Sequence, residues 1–341
     1  MTEPDDLIDA AADAPDRPTE ADLQRRIAAL ERRVRKHGGL QEMLLQAAHS
    51  ALEEHLAENP PTRRKNKPRR SRSRTKPEAI PQLVLTDWQA GKKTPSYDLE
   101  TCRDRVELAV EKALDWVRIY RESFRIDRLD LLLLGDMVEG ETIFEGQVWE
   151  IEAPGLEQTL FVSRLIADAV RRIAEEVSEV QIVTAYGNHG RTGRKGDASH
   201  PTTNLDLAAY RMARMQLEGF DGVSWSISTD TYHVHDALGT RVLTTHGDVL
   251  RGNPTVNWPR KIPKLRHVIP GGFDVLVHGH THFAYHVSVD LAHAIGVGSP
   301  ESENHYARDV LAAEARPSQT MFVVGSHGLI GEHVIYLDGE E

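Results

Sequence analysis

Residues 128–136 read "RLDLLLLGD". Four consecutive leucines need a fully buried place, and a run this short reads as a strand covered on both faces. It stops abruptly at Gly135 and Asp136. Upstream, "QLVLTDWQ" (82–89) is a second apolar run, ending in Asp87 and Gln89; downstream, "VQIVTAYGNHG" (180–190) ends in Asn188 and His189. Amphipathic stretches lie between and after these runs, over 98–124, about 155–178, and 204–220 ("NLDLAAYRMARMQLEGF"). Alternation of apolar strands with helices predicts a buried, largely parallel sheet covered by helices.

From residue 222 strands dominate: "GVSWSI" (222–227), "TYHVHD" (231–236), "TRVLTTHGD" (240–248), "FDVLVHG" (273–279), "QTMFVVG" (319–325) and "GEHVIYL" (331–337). This half suggests a second sheet with more antiparallel pairing. Two sheets packed together with helices outside is the simplest architecture for this order, and no internal repeat is evident.

The chain has 341 residues, 40% of them hydrophobic, enough for a real core. Cys102 is the one cysteine, so no intrachain disulfide forms and nothing marks an oxidising compartment. The acidic N-terminus is not followed by the apolar stretch of a secretory signal, and the longest aliphatic run is too short to span a bilayer. The expectation is a cytoplasmic protein with no membrane partner.

Charge divides the chain. Residues 1–60 carry 7 Lys+Arg against 13 Asp+Glu, residues 61–77 carry nine bases and no acid, and the remainder must be net −14 to reach −11. Residues 1–18 read as a disordered acidic tail. Residues 19–60 read as helical, with Leu23, Ile27, Leu30 and Val34 in one stripe broken at "HGG" (37–39). Through residues 19–56 this segment is either a short homo-oligomerising coiled coil or a helix packed on the main domain. Residues 61–78 form a basic arm or linker, and residues 79–341 the main domain. With no apolar residue to bury, the arm should be disordered alone. Arg63, Arg64, Arg69 and Arg70 are candidates to contact nucleic-acid phosphates.

The strand ends carry the chemistry. Five apolar runs finish at Asp87/Gln89, Asp136, Asn188/His189, His246, and His280/His282, most with a glycine adjacent. Sites in α/β sheets sit at such carboxyl ends. Mixed carboxylate, amide and imidazole donors without thiolate suit Mn, Fe, Zn or Co rather than Ca. Two aspartates, one glutamine, one asparagine and the three histidines His246, His280 and His282 make seven candidate ligands, too many for one ion and suited to two that share a carboxylate.

In order, "DWQ" (87–89), "GDMVEG" (135–140), "GNHG" (187–190), "THGD" (245–248) and "GHTH" (279–282) resemble the motifs of the calcineurin-like metallophosphoesterases. The resemblance spans about residues 80–340. It implies a four-layer α/β/β/α sandwich of two mixed sheets. It also implies that Asp87, Gln89, Asp136 and His282 hold one divalent ion and Asp136, Asn188, His246 and His280 a second, with Asp136 bridging. His189 would be the general acid, not a ligand. Mn is the first expectation, with Fe, Zn, Co and Mg as alternatives. Two positions depart from the pattern: Gln89 stands where His is usual, and Gly190 where an acid is common. The first ion's site is therefore expected to be the weaker one. His278 matches no ligand position and reads as a packing residue.

Arg191, Arg194 and Lys195 follow the general acid. Arg260 and Lys261, with Lys264 and Arg266, flank Trp258 in "NWPRKIPKLRH" (257–267). Bases beside a stackable aromatic suit unpaired nucleic acid, DNA or RNA, as single strands or ends. The sequence thus points to a nuclease-like phosphodiesterase in which a metal-bridging hydroxide attacks. Alternatives are a phosphoesterase for nucleotides or other small esters and, in another class, a non-catalytic nucleic-acid- or protein-binding module. His233 and His235 share a strand face but lack further ligands nearby, and read as structural.

Overall fold

A computed structural model describes residues 76–144, 146–193, 203–250, 254–301 and 315–338, together with Ser50 and Ala57. Nearly all of the acidic tail, the helical segment and the basic arm thus lie outside the described residues.

The first sheet has the order β11-β10-β1-β2-β3-β4. Its strands are β1 (Ala79–Leu85), β2 (Arg128–Leu133), β3 (Glu179–Thr184), β4 (Val223–Ile227), β10 (Ser318–Gly325) and β11 (Gly328–Tyr336). β1 to β4 run parallel, while β10 and β11 join antiparallel at one edge. The second sheet has the order β5-β6-β7-β9-β8, from β5 (His233–Ala237), β6 (Thr240–Thr245), β7 (Val275–His278), β8 (Tyr285–Val289) and β9 (Ala292–Gly296). It is also mixed, with β6, β7 and β9 parallel.

Helices α1 (Leu99–Tyr120), α2 (Gly155–Glu176) and α3 (Leu205–Gln216) cover the first sheet, and α4 (Pro254–Val268) covers β8 and β9 of the second. On α1 the buried residues Cys102, Val106, Ala109, Val110, Ala113, Leu114 and Val117 form one stripe at helical spacing, and Asp98 caps its N-terminus by accepting from the Thr101 amide. Three apolar layers result. One lies between helices and first sheet. The second lies between the sheets, with Val84, Leu132, Val277, Ile295 and Phe322. The third lies under α4, with Trp258, Ile262, Leu276 and Ala294. This is the four-layer α/β/β/α sandwich expected from the sequence.

Three details differ from the sequence reading. β4, β10 and β11 belong to the first sheet, because the chain returns to flank β1 after building the second. The hairpin β8–β9 was not foreseen: its strands are short, and His286, Ser288 and His293 on the face toward the other sheet interrupt the apolar run that a buried strand would show. Helix α4 was hidden by Pro259 and Pro263 within it; burial of Trp258 and Ile262 one turn apart outweighs the amide hydrogen bonds those prolines forgo. Among the described residues no helix is long and apolar enough to cross a membrane.

Candidate metal centre

All five strand ends converge on one edge of the sandwich. The loops after β1 and β2 are tied together, the Asp87 amide donating to Gly135 O at 3.0 Å and the Gln89 amide to Asp136 O at 2.9 Å. Gly135 (φ 89°) allows this turn, and a Cβ there would strike the Gly187 backbone. At Gly279 a Cβ would run into the Asp87 carboxylate. Among the described residues seven non-glycines have positive φ, and five of them are Asp87, Gln89, Asp136, His280 and His282. Left-handed backbone costs such residues on the order of 1–3 kcal/mol each and collects at functional sites. The fold therefore places its strain on predicted ligands.

The side chains form two touching groups. In one, His246 Nε2 stands 3.0 Å from Asp136 Oδ2 and 3.2 Å from His280 Nδ1. One ligand atom from each of Asp136, His246 and His280 fits within 4.8 Å of the others. Asn188 Oδ1 is buried without a hydrogen-bond partner. In the other, His282 Nε2 lies 3.2 Å from Asp87 Oδ1 and 3.3 Å from Gln89 Nε2. The His280 amide donates to both Asp87 oxygens, at 3.1 and 2.9 Å, joining the groups.

The charges are set by this crowding. Burial alone would raise the Asp87 and Asp136 carboxyls, but the neighbouring imidazoles outweigh it and hold both below the usual range. Conversely, burial opposes a proton on His246, yet Asp136 raises it to about 10. A divalent cation would supply the positive charge that protonated imidazoles otherwise provide there. His246 Nδ1 donates to Leu134 O at 2.9 Å, so in the neutral ring that a bound cation would favour, Nε2 is the nitrogen with the free lone pair. Oxygen and imidazole donors, an unpartnered amide oxygen and a fixed tautomer all fit divalent ions of the Mn–Zn class.

His189 sits differently. Its amide donates to Asp136 Oδ1 at 2.6 Å, its Nδ1 lies 2.9 Å from Glu139 O and 3.3 Å from Glu139 Oε2, and its Nε2 is 4.0 Å from Asp136 Oδ2. The ring thus turns Nε2 toward the centre. Burial works against its protonation, but Asp136 and Glu139 prevail and raise it to about 9. Glu139 is itself held by Gln147, whose Nε2 donates to Glu139 Oε1 at 2.7 Å and to Glu139 O at 3.0 Å.

Four residues of the centre were not singled out in the sequence. Fully buried Asp206, on the first turn of α3, accepts from the amides of Asp136, Met137, Val138 and Gly187 at 2.9–3.3 Å, clamping two strand-end loops. Its carboxyl is raised to about 6, by burial first and then by Asp136. Glu139 was visible as the acid within "GDMVEG" without a role. Lys92 and Glu301 form a largely buried ion pair at 2.7 Å. Lys92 Nζ also donates to Gln89 Oε1 at 3.2 Å, and Glu301 Oε1 is 4.0 Å from His282 Nδ1. Turning the Gln89 amide over would aim its oxygen at His282 but would give up Lys92. The Gly190 departure also has a local cause: a Cβ there would meet Asn204 Oδ1, and Asn204 caps α3 by accepting from the Asp206 amide.

The basic residues divide. Arg191 lies at the centre, donating to Asn188 O (3.3 Å) and Ile143 O (3.2 Å). With Tyr186, Asn188, Thr231, His246 and Asp248 it lines a cleft of about 280 Å³. Arg260 and Lys261 lie on the exposed side of α4, and Arg266 donates to Phe273 O. Arg194, Lys195, Arg63, Arg64, Arg69 and Arg70 lie outside the described residues, as does the 19–56 segment apart from Ser50. Trp258 requires a correction. It is 1% exposed and stacks on His278 with centroids 4.6 Å apart, so it cannot stack on a base. His278 is a packing residue, held neutral by burial with its pKa lowered to about 3. His233 and His235 have separate partners, Ser226 Oγ and Gln82 Oε1.

The chain resembles the calcineurin-like metallophosphoesterases in architecture and in the make-up of its centre. No protein-family model matches it, and no curated protein does. Among solved structures it is similar to an archaeal phosphodiesterase at 14% identity, covering 75% of this chain and 99% of that one, with a TM-score of 0.37. It is also similar to zinc-complexed Vps29 from Entamoeba histolytica (14% identity, 76% and 94% covered, TM-score 0.36). A third likeness is to a predicted phosphoesterase from Streptococcus pneumoniae TIGR4 (11% identity, 75% and 98% covered, TM-score 0.32). At such values the side chains of this chain must carry any functional reading.

Proposed function

We propose that this chain is a metal-dependent phosphodiesterase with a two-ion centre, acting on nucleic-acid phosphodiester bonds. The observation that carries the hydrolytic reading is the gathering of Asp87, Gln89, Asp136, Asn188, His246, His280 and His282 at five strand ends, five of the seven in left-handed backbone. Asp87, Gln89, Asp136 and His282 would hold one ion and Asp136, Asn188, His246 and His280 the other. Bound there, two divalent ions supply Lewis-acid polarisation and charge neutralisation for displacement at phosphorus. His189 presents Nε2 as the proton donor to the departing oxygen, with Glu139 fixing the ring through Nδ1. Arg191 offers its guanidinium to a phosphate oxygen in the cleft beside Asn188.

Nucleic acid as substrate is supported by the nine bases of residues 61–77 and by Arg191. Hydrolysis of a nucleotide or other small phosphoester is the second reading. The modest cleft and the burial of Trp258 favour it. Metal-stripped protein should regain hydrolysis of a chromogenic phosphodiester on addition of Mn, with Mg a poor substitute; full activity in chelator would contradict the proposal. A defined oligonucleotide tested beside mono- and cyclic nucleotides separates the two substrates. Removing residues 1–77 should weaken oligonucleotide binding at low salt, with little effect on the small diester.

A further inference from the structure

A second group of imidazoles lies on the hairpin β8–β9, at the open edge of the sandwich. The hairpin β8–β9 forms the outer edge of the second sheet, and β11 the outer edge of the first. Ser288 pairs across the hairpin with His293, and His286 lies two residues before Ser288, so all three side chains share a face. That is the face turned toward the other sheet. Ile295, opposite His286, and Val275, beside His293, belong to the inter-sheet layer. On the facing sheet Glu332 pairs with Phe322, a member of the same layer. Where the apolar layer runs out, the two sheets therefore meet through histidine, serine and glutamate.

The donor atoms there are closely arranged. His286 Nε2 is 3.0 Å from His293 Nδ1, Ser288 Oγ is 3.2 Å from His286 Nε2, and Ser288 Oγ is 3.0 Å from His293 Nδ1. Three donors at the corners of a triangle with edges of 3.0–3.2 Å match one face of a metal's coordination shell, since ligands at about 2.0–2.1 Å from an ion stand about this far apart. A closed triangle of hydrogen bonds would need each proton to bend far off the line to its acceptor. The other ring nitrogen of His286 lies 2.7 Å from Glu332 Oε2. A carboxyl group behind a ligating imidazole fixes the orientation of its ring. Burial lowers the pKa of both imidazoles, which favours the neutral, ligating form.

We propose that His286, Ser288 and His293 form a separate site for one divalent transition-metal ion of the imidazole-preferring class, zinc, copper or nickel, with Glu332 orienting His286 from the facing sheet. Such an ion would clasp the two sheets at their open edge. Two nitrogens and a hydroxyl leave positions for water, so the site should exchange its ion readily. It does not depend on the phosphodiesterase reading, because no residue of it belongs to the strand-end centre.

The test is a count of ions on the full chain. Metal-stripped protein is dialysed against zinc and the bound zinc measured per chain, for the parent and for His286→Ala/His293→Ala. The double variant should bind one ion fewer, keep its hydrolysis of the chromogenic diester in Mn, and lose part of the zinc-induced rise in melting temperature. Cobalt should give the parent an additional visible absorption that the variant lacks. Should the double variant fail to fold, His293→Gln, which retains a polar side chain at the edge, serves for the same counts. Equal zinc and equal cobalt spectra in parent and variant would overturn the proposal and leave these residues as mutual hydrogen-bond partners only.

Discussion

On the His246 side of the centre two of the four candidate ligands are imidazoles, and His246 is held by Leu134 O and faces both Asp136 and His280. On the Gln89 side an amide takes the place of an imidazole, and its oxygen is occupied by Lys92, which is in turn paired with Glu301. If the proposed two ions bind, the same strand-end architecture should therefore give them sites of unequal strength. An amide oxygen donates less to a borderline ion than an imidazole does, and an ammonium next to the site opposes a cation directly. The difference teaches that a metal centre's affinity is set as much by what grips each ligand from behind as by the ligands themselves.

The largest expected effect is on His189, the proposed proton donor, which stands outside both proposed ligand sets. His189→Ala should lower turnover by roughly 10²–10⁴-fold, the usual range for a lost general acid, with metal content unchanged. The loss should shrink for a substrate with a good leaving group, which needs no proton. Metal analysis and kinetics on two leaving groups check this; loss of an ion instead would make His189 a ligand.

Next come variants that set the two halves against each other. Lys92→Met frees the Gln89 oxygen and removes a nearby positive charge. It should tighten the weaker of two ion-binding steps by about 10-fold or more, within the range typical for residues behind a ligand. It should also lower the melting temperature of the metal-free protein, because Glu301 is left buried and unpaired. Gln89→His should tighten the same step and shift its preference toward zinc, and Gln89→Ala should weaken it. Calorimetric titration of the four proteins decides: identical weak steps throughout would mean that Gln89 and Lys92 do not control that site.

The smallest effect lies away from the centre, in the middle of the strands. His235 bridges the sheets through Gln82, which also donates to Asp130. Burial lowers its pKa to about 3, so between about pH 6.5 and pH 3 the unfolded chain binds a proton that the folded chain refuses. Its contribution to stability is therefore present above pH 6.5 and lost as pH falls. Buried Asp130 has a raised pKa and works in the opposite direction, losing stability as pH rises above its unfolded value. His235→Gln should flatten the decline in melting temperature between pH 6.5 and pH 4, measured by thermal scans in matched buffers. An unchanged slope would show that His235 titrates normally.

Much of this was legible in the sequence, for physical reasons. Apolar runs such as "LDLLLLGD" must be buried strands, and the residues at their ends could be read as a set because parallel strands deliver their carboxyl ends to one edge. The partners behind them could not. Asp206 reaches Asp136 across 70 positions and Lys92 reaches Glu301 across 209, contacts that the topology creates and no local pattern announces. Trp258 misled because neighbouring bases suggested an open surface. The helical spacing of Trp258, Ile262 and Leu265, which turns the aromatic inward, was masked by two prolines. His286, Ser288 and His293 went unnoticed because their grouping needs the hairpin register and the facing sheet together.

The central claim is that two ions share Asp136 across halves of unequal strength. Electron paramagnetic resonance of the metal-free protein titrated with Mn tests it most directly. The account predicts an isolated six-line Mn signal at the first equivalent, from the His246 side, which gives way to a spin-coupled signal as the second equivalent fills the Gln89 side. Asp136→Asn should abolish the coupled signal. Two equivalents that bind and yield only isolated Mn spectra, with hydrolysis intact, would contradict it.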